Sequence, residues 1–310
     1  MKNTSLKKSL CLVFLGLGLT ALLHARGNRD SSDLTIYGLM GSSGVGIIRL
    51  FEDPPEIEGF NVRVEALANQ ELMAARFISG EARVGILPPN MAAKLASQGI
   101  DIRVLAVIGT GMLSLLTNDP AIQSITDLRG RTVEVAGQGA TPDFVFRTIL
   151  RNHGMEAEGD LNLAYALAPP EIAQSLIAGR IPTGLLPEPF ATMARMGNSD
   201  LRSISNIQDE WIRAGGGSSF PMTLLVADGA FASANPAGVD IILEAVRNSI
   251  EWVISHPDEA GLMVEKHELG LRAPIVRAAI PNSSYVFIPA REARPSLEAL
   301  FRVLDRKSVV

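Results

Sequence analysis

The feature that most constrains this 310-residue chain is that part of it repeats. The stretch Ile177–Gly197, IAGRIPTGLLPEPFATMARMG, echoes Ile78–Gly99, ISGEARVGILPPNMAAKLASQG. A shift of 99 places Ile78 on Ile177, Gly80 on Gly179, Gly85 on Gly184, Leu87 on Leu186, Pro88 on Pro187 and Ala92 on Ala191. In each copy a helix ends at glycine, a short apolar strand follows, and a proline-marked turn opens the next helix. Extended without gaps, residues 34–108 and 133–207 share eleven identities, several of them at turns. Two matching strand-to-helix turns predict two matching half-molecules that face each other across a cleft.

The chain is long enough for two α/β units, each with its own core. Its beginning is read separately. Lys2, Lys7 and Lys8 precede the apolar run Leu10–Leu23, and the small residues Ala25 and Gly27 follow. That is the layout of a secretory signal peptide over residues 1–27, with an uncleaved anchor as the alternative. Removing it takes away four basic residues and no acidic ones, leaving 28 − 4 = 24 against 33, a charge of −9. An acidic exported chain lacks the basic footprint of a nucleic-acid binder. Cys11, the one cysteine, lies inside the leader, so no intrachain disulfide is expected.

Along the mature chain, strand patterns at Leu34–Tyr37, Asn61–Leu67, Val84–Leu87 and Ile102–Ile108 alternate with helical ones. The order restarts at Val133–Ala136, with strands around Leu161–Ala164 and at Leu201–Ser205. Such alternation predicts parallel βαβ units. Thr141 and Pro142 suit the start of a helix over Asp143–Asn152, with Thr141 as its cap and Asp143 complementing its dipole. Gly215–Ser219 reads as a flexible break, Met222–Ala227 as a strand and residues 236–255 as a long amphipathic helix. The helical tail is expected to pack on the first unit. The chain then crosses between lobes near 111–118 and 216–223. Lobe I is expected over 33–116 plus 221–310, and lobe II over 117–220.

Open parallel sheets bind ligands beyond the carboxyl ends of their strands. The loops there supply the candidate ligand-binding residues: Met40, Gly41, Ser42 and Ser43; Pro89 and Asn90; Gly139, Ala140 and Thr141; Glu188 and Phe190. Thr223, in the strand after the second crossing, completes the set. Small residues at a helix start let a ligand approach free amides closely. Glu188 is the one carboxylate in a candidate loop, suited either to a ligand amine or amide or to bridging the opposite lobe. No nucleotide, nucleophile-elbow or zinc-helix motif is present. His153, His256 and His267 sit near predicted helix ends, where a solvated or capping role is expected. Catalytic residues, metal ligands and cofactors are therefore not expected.

Three segments carry a family resemblance: TDLRGRTVEVAGQGATPDFVFRTILRNHGM (126–155), IAGRIPTGLLPEPFATMA (177–194) and PAGVDIILEAVRNSIEWVISHPDEA (236–260). The chain resembles the type II periplasmic solute-binding proteins of ABC importers, in the branch for nitrate, sulfonates, taurine and thiamine-pyrimidine precursors. The resemblance implies two α/β lobes on two hinge crossings, closing on a small organic or anionic solute. It implies ABC permease and ATPase subunits as partners, a periplasmic or other extracytoplasmic location, and membrane contact only through the permease or an uncleaved signal. A monomer is expected. A pyrimidine-precursor synthase-like enzyme and a ligand-sensing partner of a signalling protein are the alternatives. The chain departs from the branch at Arg83 and Pro182, where similar proteins usually carry aspartate two residues before the strand glycine. It also lacks a tryptophan-rich pattern across Tyr37–Gly46 and any arginine in the candidate loops.

Overall fold

A computed structural model describes residues 31–305. The leader assigned to residues 1–27, with Cys11, lies outside the described residues. The first half comprises β1 (Ser32–Leu39), α1 (Ser42–Gly46), α2 (Arg49–Glu52), β2 (Phe60–Leu67), α3 (Gln70–Ser79), β3 (Val84–Leu87), α4 (Pro89–Ser97) and β4 (Ile102–Thr110). The second half comprises β5 (Leu113–Thr117), β6 (Thr132–Val135), α5 (Thr141–Asn152), β7 (Asn162–Ala164), α6 (Pro169–Ile177), β8 (Thr183–Pro187), α7 (Phe190–Gly197), β9 (Arg202–Ser203) and α8 (Ile207–Arg213). The chain continues through β10 (Pro221–Asp228), α9 (Gly229–Ala234), α10 (Pro236–Ser255), α11 (Pro257–Lys266), α12 (Ala273–Ala279), β11 (Tyr285–Pro289) and α13 (Ala290–Asp305).

Two sheets result, with orders β2-β1-β3-β10-β4-β11 and β7-β6-β8-β5-β9. The repeat seen in the sequence is thus a repeat of topology. In each sheet the repeated strands run in the same order, and one antiparallel strand is inserted between the third and fourth. That strand follows the other half in the chain: β10 in the first sheet, β5 in the second. Each half therefore needs a strand reached through a hinge crossing to complete its sheet.

Two details differ from the sequence reading. The first crossing falls at Gly111-Met112, because Leu113–Thr117 pairs antiparallel with Thr183–Pro187 in the second sheet. Residues 113–116, assigned to lobe I from the sequence, stand in the second lobe. The ungapped alignment also fails at the first strand. Ser32 pairs with Phe60, 28 positions on, whereas Thr132 pairs with Asn162, 30 positions on. β6 thus sits two residues out of step with β1, so Gly38 and Gly137 are not structural equivalents. A slip of two keeps each side chain on its own face, so burial tolerates it.

Both sheets are buried on both faces, as parallel sheets flanked by helices are. In β10, Leu225 and Ala227 enter one core with Ile36, Ile86 and Ile108, while Leu224 and Val226 enter another with Tyr37 and Leu87. The second sheet divides likewise between a core around Val133, Phe146 and Trp211 and one around Leu116, Ile172 and Leu186. The helical tail packs mainly on the first lobe, through Ile242, Val246, Ile250 and Val253 of α10. Its last helix does not stay there. In α13, Ala293 and Leu297 join a first-lobe core, while Leu300, Val303 and Leu304 pack against the second-lobe core.

The second lobe is also tied by a buried carboxylate. Glu210 accepts from Ser205 Oγ and Arg213 Nη2, each at 2.7 Å, and lies 2.7 Å from His153 Nε2. Burial pushes its carboxyl up, but the bonds from Arg213, Ser205 and His153 outweigh that and hold it at about 2. A depressed carboxyl contributes stability in full above its unfolded value of 4.5 and loses it as pH falls toward 2. Glu210→Gln is expected to lower the urea midpoint at pH 7 and to flatten the acid limb between about pH 5 and 2. An acid limb unchanged from the parent protein would contradict this.

Candidate functional site

The four loops leaving β1, β3, β6 and β8 converge between the lobes. On one side, Thr141 Oγ1 of the second lobe donates to Asn90 Oδ1 of the first at 3.1 Å. On the other, Gly41 in the first lobe sits under the Phe190 ring. Its φ is +88°, a conformation that favours glycine, and an added Cβ would lie 3.9 Å from the ring edge. Phe190, at the start of α7, packs on cores of both lobes. A third link joins Asn282 Nδ2 after α12 to Thr192 Oγ1 in α7 at 3.3 Å.

Between the first two contacts lies the hinge. Met112 stands on the first crossing. Its carbonyl accepts the Glu188 N–H at 2.9 Å, and its sulfur lies 3.5 Å from Ser42 Oγ. The Ser42 carbonyl in turn accepts the Tyr285 hydroxyl at 2.9 Å. Burial pushes the Tyr285 phenol well up and the nearby Glu188 charge adds to it, against the Ser283 bond, so Tyr285 remains an O–H donor. The second crossing runs beside the first, with Gly111 N–H donating to the Phe220 carbonyl at 3.0 Å.

Beyond the Asn90–Thr141 contact the cleft opens into a groove of about 1020 Å³, walled by α4, the Gly137–Ala140 turn and α13. That is at the upper end of small-molecule sites, roughly 300–1,000 Å³. Met91, Phe144 and Phe301 give it apolar surface, and Asn90 and Gln138 give it polar groups.

The expected site residues divide accordingly. Asn90, Gly139 and Ala140 line the groove, and Thr141 bridges to Asn90. Met40 is exposed, Ser42 and Ser43 are half-buried, and Gly41 faces Phe190. Pro89 is buried in the first turn of α4. Thr223 is buried at a bulge opposite Gly109, at the base of the cleft beside Met112. Glu188 turns inward: its Oε2 accepts the Thr192 N–H at 2.9 Å and its Oε1 accepts Arg195 Nη2 at 2.8 Å, all within the second lobe. Burial pushes its carboxyl up, against the bonds from Thr192 and Arg195.

The cap expected of Thr141 is made otherwise. Ala140 takes the cap position and Thr141 opens the helix, so its hydroxyl is directed to Asn90. The amide at the turn is satisfied by Asp143, whose Oδ2 accepts the Gly139 N–H at 2.8 Å. Asp143 is wholly buried, and its other oxygen accepts Arg147 Nε at 2.6 Å and the Tyr165 hydroxyl at 2.7 Å. Asp143 thus sets the shape of the glycine turn. Its i,i+4 spacing to Arg147 was the available sequence signal; Met112, Tyr285 and Asn282 had none. The three histidines stand at the C-caps of α5, α10 and α11, away from the four loops. Among the described residues no group of three or more His, Cys, Asp or Glu could hold a metal ion.

Two lobes, two crossings and four facing loops define the two-lobed periplasmic binding protein architecture. The NMT1/THI5 like family model matches residues 56–260, two thirds of the chain, and the protein belongs to that family. An ABC transporter structure from Parabacteroides distasonis is 25% identical, covering 89% of this chain and 93% of that one with a TM-score of 0.72. The periplasmic aliphatic sulphonate binding protein SsuA from Escherichia coli is 16% identical over 90% of this chain and 88% of its own, with a TM-score of 0.73. The periplasmic nitrate-binding protein NrtA from Synechocystis PCC 6803 is 14% identical over 79% and 69%, with a TM-score of 0.60. No curated protein sequence matches the chain.

Proposed function

We propose that this protein is the extracytoplasmic solute-binding component of an ABC importer, capturing a small molecule between its lobes by hinge closure. One observation carries the reading: loops from both lobes meet at the carboxyl ends of their strands, while among the described residues the chain passes between the sheets at two adjacent crossings, with α13 packed across both lobes. Such a link lets one lobe rotate on the other, and a ligand touching both lobes favours the closed arrangement. The relatives with sulphonate- and nitrate-binding names share this fold, and the family match adds weight. ABC permease and ATPase subunits are the partners this function requires. Among the described residues no helix is long and apolar enough to cross a membrane.

Within this reading Asn90, Gly139, Ala140, Phe190 and the Met40–Ser43 loop contact the solute, while Thr141 latches the lobes. Glu188 and Thr223 act from behind them by positioning the turn and the hinge. A synthase-like enzyme on this fold is the alternative reading and would need a histidine and metal or cofactor ligands in the cleft. The test is calorimetry and thermal shift against a broad panel of small solutes. A ligand at one hundred times its Kd is expected to stabilise the protein by about 2.7 kcal/mol. Asn90→Ala is expected to weaken that ligand about tenfold, or 1.4 kcal/mol, with little change in unliganded stability. A panel that produces neither heat nor stabilisation would refute the capture reading.

A further inference from the structure

We infer that the cleft selects an uncharged organic solute over free anions, because the second lobe supplies its own carboxylate to both helix starts that face the cleft. The inference rests on the solute-capture reading and names the charge class of the ligand. A helix start attracts anions through its free amides and its partial positive charge, roughly half an elementary charge. At α5 the Gly139 amide is already engaged by Asp143, and Pro142 in the first turn has no N–H to offer. At α7 the Thr192 amide is engaged by Glu188, and Pro189 likewise offers none. Both carboxylates are buried, at 0% and 2% exposure, so these helix-start amides are engaged by the lobe's own side chains rather than left for an anion.

Nearby guanidinium groups do not reverse this. Arg195 is paired with Glu188 at 2.8 Å, and Arg147 is paired with Asp143 and Glu158. In the groove, Lys94 and Arg302 share the walls with Glu71, Glu298 and Asp305. On the first lobe, α4 opens with Pro88-Pro89, which contribute no amide hydrogens, and the 40–44 loop holds only Met, Gly and Ser. An anion entering the groove meets Lys94 and Arg302 together with the carboxylates of Glu71, Glu298 and Asp305 on the same walls. Beside these mixed charges the groove offers neutral groups: Asn90 and Gln138 for hydrogen bonding, with Met91, Phe144 and Phe301 as apolar walls. That combination fits a solute with an apolar body and amide-like polar groups.

Matched pairs of equal shape and different charge test this on the mature protein. Methanesulfonate against methanesulfonamide, benzenesulfonate against benzenesulfonamide, and nitrate alone would be titrated by calorimetry, with a wider solute panel scored by the charge of its hits. The expected result is that hits are uncharged and that the anionic counterpart of any hit binds at least about tenfold more weakly. Glu188→Gln is expected to narrow that ratio, with Asp143→Asn as the second variant should the first fail to fold. An anion that binds as tightly as its uncharged counterpart, or a panel whose hits are anionic or cationic, would overturn the charge inference while leaving solute capture intact. Absence of any hit would reject solute capture, and the charge inference with it.

Discussion

Asp143→Ala is expected to destabilise the second lobe by about 3–5 kcal/mol, the usual consequence of removing one partner from a buried ion pair. The carboxylate is wholly buried and accepts from Gly139, Arg147 and Tyr165 together. Without it, Arg147 keeps only part of its pairing and the Gly139 amide loses its internal acceptor. The chain provides a reporter for each lobe. Trp211 is buried in a second-lobe core and Trp252 packs against a first-lobe core. In a Trp252→Phe background, Trp211 fluorescence against urea should therefore show the loss directly. Asp143→Asn, which keeps the shape and one acceptor, should cost less. An alanine variant with an unchanged midpoint would remove Asp143 from its positioning role.

Glu188→Ala is expected to cost about 2–3 kcal/mol, below that range because the Arg195 side chain is 32% exposed and regains water. The Thr192 amide at the start of α7 is left without its acceptor, which adds the penalty of an unmade buried bond. The pH dependence has the opposite sign to that of Glu210. Burial raises the Glu188 carboxyl above its ordinary value, so its favourable contribution is complete at low pH and is lost as pH rises through the raised value. Glu188→Gln should accordingly be the milder change at pH 7. A Glu188→Ala protein of parental stability whose only defect is ligand affinity would instead restore the direct contact read from the sequence.

The sequence carried the architecture because its signals were local. Glycine after α3 and α6, proline at the following turns and apolar runs in β3 and β8 specify the repeated unit without reference to distant residues. The missing pieces depended on long-range pairing. Leu113–Thr117 is a five-residue apolar run that suits either sheet, and only its register against Thr183–Pro187 assigns it to the second. The two-residue offset of β6 was hidden because a slip of two preserves the inward face. At the site, loop positions were readable and side-chain directions were not. Glu188 and Thr141 both stand in the facing loops, yet Glu188 folds back onto α7 while Thr141 reaches across to Asn90. Asp143 was read as a dipole partner when it is the acceptor that shapes the turn.

Hinge closure on a solute is tested most directly by the distance between the lobes. Ser79 at the end of α3 and Ala178 after α6 are exposed, and the chain's one cysteine is Cys11, in the stretch read from the sequence as a leader. Spin labels at Ser79→Cys and Ala178→Cys would therefore report one interlobe distance by double electron–electron resonance. The account predicts a broad or displaced distribution without ligand that collapses, on saturation, to the single separation of the structure with Asn90 against Thr141. An identical distribution with and without a ligand that calorimetry shows to be bound would contradict it.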